Sequence, residues 1–213
     1  MALAVEQLSL GPIGANCYIV RQAETASFAV VLDPGGDVAQ IRLALDRASA
    51  SCAAILLTHS HYDHIGALAD LADAAGAPVW LPAGELDVFR RPNEYFGGLG
   101  VSIRGYEGEC TILNGGETID VAGIAFEVTA VPGHSPGHLA YYADGSLFSG
   151  DVLFAGSVGR TDLPFGSWEQ LLDSIRTLAE AYPPETRVYS GHGPPTTLAD
   201  ELARNPFLAE LRA

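Results

Sequence analysis

At 213 residues, 48% apolar and 17% charged, the chain can bury one full-sized core or two small ones, which excludes a disordered segment. A formal charge of −15, with arginine for every strongly basic residue and no lysine, sets the surface against phosphate backbones and excludes a nucleic-acid partner. No apolar run approaches the roughly 20 residues that cross a bilayer, and the N-terminal Met-Ala-Leu-Ala-Val-Glu is a poor secretory signal, so no membrane partner and a cytoplasmic location are expected.

Val5 to Leu10 and Cys17 to Val20, separated by the Gly11-Pro12 turn, read as strands, and so does Phe28 to Leu32, which stops at Asp33-Pro34-Gly35-Gly36. Val38, Ile41, Leu45 and Ala48 then recur at helical spacing. Ala53 to Leu57 is a solid apolar run of the kind found in a buried strand, and it ends at Thr58-His59. Leu68, Leu71 and Ala75 mark a second helix closed by Gly76 and Pro78, before a short strand at Val79 to Leu81. Residues 84 to 116 read as a surface excursion with a short helix, in which Arg90, Arg91, Tyr95 and Phe96 are solvated or locally packed rather than lining an entrance. Thr118 to Val121 and Ile124 to Val131 form a hairpin about Ala122-Gly123, and Leu139 to Tyr142 with Leu147 to Ser149 form another about Asp144-Gly145. Residues 167 to 181 are helical, with Trp168, Leu171, Leu172, Ile175 and Leu178 on a core-facing side, and Arg187 to Ser190 is the last strand. Strands with helices followed by strands with helices, without a linker, imply an α+β fold. The expectation is one domain over residues 1–213, built as a four-layer αββα sandwich. Cys17, Cys52 and Cys110 form no C-x-x-C pair and read as free thiols in a reducing compartment.

The chemistry lies in the histidines. His59, His61, Asp63 and His64 place four potential ligands in six residues between a buried strand and a helix. Imidazole nitrogens and carboxylate oxygens suit zinc and similar divalent ions, and the 59/61 alternation lets two imidazoles point the same way from extended backbone. His134, Asp151 and His192 share another context: each is separated from a strand end by one or two residues and lies beside a glycine. Loops at one sheet edge would gather all of them. His138 is read as supporting a ligand rather than binding metal. Asp33 is either the acceptor for a ligand imidazole or an Asx turn residue. Arg160 either binds a substrate carboxylate or pairs with Asp162.

Thr58-His59-Ser60-His61-Tyr62-Asp63-His64 resembles the H-x-H-x-D-H motif of the metallo-β-lactamase fold superfamily. Gly133-His134-Ser135-Pro136-Gly137-His138, Ser149-Gly150-Asp151 and Ser190-Gly191-His192-Gly193 resemble its later motifs, in order. Gly150-Asp151-Val152-Leu153-Phe154, Gly159-Arg160-Thr161-Asp162 and Asn205-Pro206-Phe207-Leu208 are similar to the short bacterial glyoxalase II-like (hydroxyacylglutathione hydrolase-like) hydrolases. The resemblance implies one metal on His59, His61 and His134, a second on Asp63, His64 and His192, and Asp151 bridging them. The metals would be zinc first, with iron or manganese as alternatives. It further implies that a metal-bridging hydroxide cleaves a small acyl-thioester such as S-lactoylglutathione, with Asp63 as the catalytic residue that orients the nucleophile and accepts its proton. His64 and Asp151 stand where true β-lactamases usually carry other residues. Full-length glyoxalase II adds a C-terminal helical domain that supplies much of its glutathione site. This chain runs only about twenty residues past His192, so hydrolysis is implied more firmly than glutathione recognition. Two rival readings remain. One is a persulfide dioxygenase, an oxidoreductase with a single iron on His59, His134 and Asp151; the other is a non-enzymatic metal-binding module.

Overall fold

A computed structural model describes residues 2–212 of the chain. Its first half lays down strands β1 (Ala4–Leu10), β2 (Ala15–Arg21), β3 (Phe28–Leu32), β4 (Ser51–Leu56), β5 (Val79–Pro82) and β6 (Cys110–Leu113) in spatial order one to six. β1, β2 and β3 pair antiparallel; β3 through β6 run parallel. Parallel neighbours need a crossover, and helices α1 (Val38–Arg47) and α3 (Leu68–Ala75) supply two of them, with the one-turn helix α2 (Tyr62–Ile65) just before α3. Helices α4 (Leu86–Arg90) and α5 (Pro92–Phe96) lie between β5 and β6.

The second half forms a mixed sheet from β7 (Thr118–Val121), β8 (Ile124–Ala130), β9 (Leu139–Ala143) and β10 (Ser146–Gly150), then the small hairpin β11 (Leu153–Phe154) and β12 (Ser157–Val158). Helix α6 (Trp168–Ala181), strands β13 (Arg187–Ser190) and β14 (Thr196–Thr197), and helix α7 (Leu198–Arg204) complete it, with sheet order β14-β13-β10-β9-β8-β7. Ser167 caps α6 by accepting from the Gln170 N–H, and Thr197 caps α7 by accepting from Asp200.

Three apolar clusters make this a four-layer α+β sandwich. Tyr18, Val30 and Leu56 from one sheet meet Phe126, Tyr141 and Phe148 from the other. Ile55 and Val79 pack outward on Ile41 and Leu71 of the helices, while Leu147 and Val188 pack outward on Leu171 and Ile175. β8 shows the cause on a small scale: Ile124, Phe126 and Val128 are buried while Ala125 and Glu127 face out. The predicted strands and helices recur within a residue or two of their expected ends.

Two expectations change. Residues 84 to 116 are more than a surface excursion: Phe89 and Ile103 enter the core, and β6 extends the first sheet. Trp168 is 38% exposed, because it is the first residue of α6 and overhangs the layer that Leu171, Leu172, Ile175 and Leu178 cover. The thiols are free, with Cys17 buried and Cys52 and Cys110 half-buried. Among the described residues no helix is long and apolar enough to cross a membrane.

Candidate metal centre

Strand direction brings the site together. β3 and β4 are parallel, so Asp33 and His59 leave the first sheet at one edge. In the second sheet β10 and β13 are parallel and β8 is antiparallel to β9, itself antiparallel to β10. β8, β10 and β13 therefore all run the same way and deliver His134, Asp151 and His192 to a common edge. Cross-sheet bonds align the two edges: Leu139 N–H donates to the Thr58 carbonyl, Asn16 N–H to the Gly191 carbonyl, and the Tyr18 hydroxyl to the Ser190 carbonyl at 2.6 Å.

His59, His61 and His134 offer nitrogen atoms within 4.8 Å of one another, as do donor atoms of Asp63, His64 and His192. Asp151 lies between these groups: its oxygens are 3.3 Å from His64 Nε2, 3.4 Å from His134 Nε2 and 3.6 Å from His192 Nε2. His59, Asp63, His64, His134 and Asp151 are buried, whereas His61 and His192 are half-buried, so the cluster opens to solvent on their side. Gly191 is needed here, since a Cβ on it would overlap Asp151 Oδ1 and stand 2.8 Å from His64 Cε1.

Surrounding groups orient the imidazoles. His134 Nδ1 donates to the Arg160 carbonyl at 2.7 Å, which leaves its Nε2 lone pair facing His61 Nδ1 at 2.8 Å. Asp33, held at φ 50°, accepts from the Thr58 N–H and hydroxyl and lies 3.0 Å from His64 Nδ1. It thus serves as turn residue and imidazole acceptor at once. His138 Nε2 accepts from the Asp151 N–H at 3.0 Å, so His138 buttresses Asp151 and has no nitrogen lone pair left for the cluster. Arg160 turns its exposed guanidinium onto Asp162 in a two-pronged pair at 2.7 Å, away from the imidazoles.

The electrostatics follow from burial and crowding. Burial and neighbouring imidazoles hold His59 well below its ordinary value, and burial with the facing His134 pushes His61 down to about 3; both are neutral with lone pairs available. At His64 burial opposes the charge, but Asp151 and Asp33 outweigh it and raise the imidazole well above its usual range. Burial likewise works against the Asp151 carboxylate, yet His64 and the neighbouring imidazoles keep it ionised. A hydrogen bond to Asp63 raises His192. Three buried donor atoms, His59 Nε2, His64 Nε2 and Asp151 Oδ1, have no hydrogen-bond partner. Each such atom ordinarily costs about 1–3 kcal/mol. The free lone pair of His59 Nε2, and His64 Nε2 once a cation displaces its proton, stand beside anionic oxygens and form a donor set that fits divalent cations of the zinc, iron or manganese type.

Glu85 is the residue that sequence reading missed: it is buried between the 59–64 and 133–138 loops. Its signal was available, because Gly84-Glu85 directly past β5 repeats the pattern of Gly150-Asp151 at the end of β10. Phe96, expected to be surface or local packing, lays its ring edge-on to His61 with centroids 5.7 Å apart. Phe154 does the same to His192 at 5.9 Å.

Comparison with known proteins gives the family. The family model described as metallo-beta-lactamase superfamily matches residues 10–192. A probable metallo-hydrolase, YqgX of Bacillus subtilis, is 36% identical over 95% of this chain and 96% of its own length. The hydroxyacylglutathione hydrolase GloC of Haemophilus influenzae is 33% identical over 91% of this chain and 92% of its own. Among solved structures, the BLEG-1 B3 metallo-beta-lactamase superposes with TM-score 0.90 at 39% identity, covering 97% of this chain and 100% of that one. TTHA1623 in a di-iron-bound form gives 0.86 at 39%, covering 95% and 100%. ETHE1 from Myxococcus xanthus gives 0.78 at 26%, covering 97% and 85%.

Proposed function

We propose that this chain, which belongs to the metallo-beta-lactamase superfamily, hydrolyses small acyl-thioesters of the S-lactoylglutathione kind at a dinuclear metal centre. His59, His61 and His134 would hold one cation, Asp63, His64 and His192 the other, and Asp151 both. The observation that carries this is a set of donor residues gathered from four strand ends and loops, in which three buried atoms, His59 Nε2, His64 Nε2 and Asp151 Oδ1, have no hydrogen-bond partner. The di-iron form of TTHA1623 supports two ions, and the hydroxyacylglutathione hydrolase GloC supports the thioester. When bound, the cations supply Lewis acidity, bringing a coordinated water from a pKa of about 15.7 toward about 7 and polarising a carbonyl.

The chain's own groups do the rest. Asp63 is ionised, with Oδ2 3.2 Å from His192 Nε2, and can take a proton at that carboxylate on the open side of the cluster. Asp33 and the Arg160 carbonyl fix the tautomers of His64 and His134, so each presents Nε2 inward. Phe96 and Phe154 stand beside the two half-buried imidazoles as apolar walls for an acyl group. Arg160 reaches a substrate carboxylate only by exchanging its partner Asp162, an exposed pair worth little to break. Free thiols in the chain support a reducing, cytoplasmic setting.

The ETHE1 neighbour favours the persulfide dioxygenase as second reading. Elemental analysis of the purified protein, paired with thioester-cleavage, β-lactam-cleavage and oxygen-consumption assays, separates them. Two ions per chain and thioester turnover without oxygen uptake are expected. One iron with stoichiometric oxygen uptake would replace the hydrolase by the dioxygenase.

A further inference from the structure

Glu85 is a carboxylate with 1% exposure that none of the proposed chemistry employs. It stands where the short turn Ala83–Glu85 passes into α4, just beyond β5. Its two oxygens serve different loops. Oε2 accepts from the Ser60 N–H at 3.2 Å, and Oε1 accepts from the Gly137 N–H at 2.9 Å. Ser60 lies between His59 and His61; Gly137 lies between His134 and His138. One side chain therefore ties a loop of the first sheet to a loop of the second. Backbone contact leaves it no room to swing: a Cβ on Gly84 would come 2.6 Å from Gly137 Cα, and a Cβ on Gly137 would come equally close to Gly84.

We propose that Glu85 is a positioning residue for the metal centre, a two-pronged acceptor that sets the spacing of the His59, His61 and His134 donors. His61 Nδ1 and His134 Nε2 approach to 2.8 Å across the seam that Glu85 closes, a spacing at which the pair shares a proton as an N–H···N hydrogen bond or can hold a cation in its place. Two N–H donors from separate loops need two acceptor atoms on one rigid group. Glutamine keeps the volume but turns an NH2 toward one of those N–H groups, and aspartate is one methylene too short to reach both. Buried polar groups left facing like groups move apart or take up water, and the two loops would separate with them. The same segment carries Phe96 at the His61 ring, so loosening Glu85 also frees that wall.

This inference rests on the metal-centre reading, and the test separates the two. Wild type and Glu85→Gln are stripped with chelator and titrated with Zn2+ against a chromophoric competitor. Co2+-loaded samples of each are compared by visible ligand-field spectrum. The expectation is at least a tenfold loss of Zn2+ affinity in the variant and an altered Co2+ spectrum, a change that lost packing alone would not produce because glutamine preserves the volume. Equal affinity in variant and wild type overturns the inference alone. Wild type that takes up no Zn2+ overturns the metal-centre reading and this inference with it. Should the variant not fold, amide exchange in stripped wild type decides: Ser60 and Gly137 N–H groups held by Glu85 exchange slowly without metal, and rapid exchange overturns the proposal.

Discussion

Replacing Asp33 by asparagine removes one acceptor behind the candidate metal centre, directly at His64 and through the Thr58 hydroxyl at His59. The side chain keeps its volume, and asparagine tolerates the left-handed backbone that Asp33 adopts at φ 50°. What changes is the acceptor count. Asp33 Oδ1 accepts from the Thr58 N–H at 2.8 Å, while Oδ2 accepts from the Thr58 hydroxyl at 2.6 Å and meets His64 Nδ1 at 3.0 Å. With the amide oxygen kept on the Thr58 N–H, the NH2 takes the place of Oδ2; with the amide flipped, it faces the N–H instead. The first orientation is the better, since the Thr58 hydroxyl can turn round to accept. His64 then loses its acceptor and shifts its proton to Nε2, the atom that faces Asp63 and Asp151. Loss of an acceptor behind a ligand imidazole typically lowers metal affinity 10–100-fold, which corresponds to about 1.4–2.7 kcal/mol. Losing one charge-assisted hydrogen bond at a site 4% exposed removes about 1.5–3 kcal/mol from the stripped protein. For a chain of this size that is a fall in Tm of roughly 3–12 °C. Chelator competition and scanning calorimetry of stripped and loaded protein measure both. An Asp33→Asn protein that binds metal as tightly as wild type would refute the role given to Asp33.

Further substitutions probe other links. Asp151→Ala is expected to lose metal and activity together, since its oxygens lie within 3.6 Å of His64, His134 and His192; retained stoichiometry at full rate, by elemental analysis and assay, would end the bridging assignment. Gly191→Ala drives a Cβ into Asp151 and His64, side chains confined by the cluster. It should cost about 1–3 kcal/mol as overpacking and lower metal content, so an unchanged melting curve and metal content would contradict the close-packed cluster. Burial pushes the Cys52 thiol up to about 12. Folding therefore gains stability from the neutral thiol below its unfolded value near 9.0, and loses that gain as pH rises toward 12. Native Cys52 should therefore react with a thiol reagent about 10³-fold more slowly than unfolded chain near pH 8. Equal labelling rates would show the thiol to be open to solvent.

The compact motif at residues 59–64 is legible because strand-end geometry needs no distant information: an apolar run, then alternating imidazoles, then a helical turn. His134, Asp151 and His192 are legible for a similar reason, each lying beside a glycine at a strand's end. Trp168 marks a limit of periodicity, which assigns a residue to a helix face without knowing where the covering layer stops. β6 marks another, since Cys110–Leu113 is a short strand with an exposed middle that becomes a strand only by pairing with β5.

Residue types and their local spacing by themselves determined the ligand chemistry, the order of most elements and the layered α+β class, because hydrophobic period and turn residues act over a few positions. Tertiary structure alone decided which donors meet, that Asp33 turns both to Thr58 and to His64, that Arg160 is spent on Asp162, and that Glu85 locks one sheet's loop to the other's. Those contacts depend on strand direction and on the distance between two packed sheets, and no stretch of the chain encodes either until the other half is folded against it.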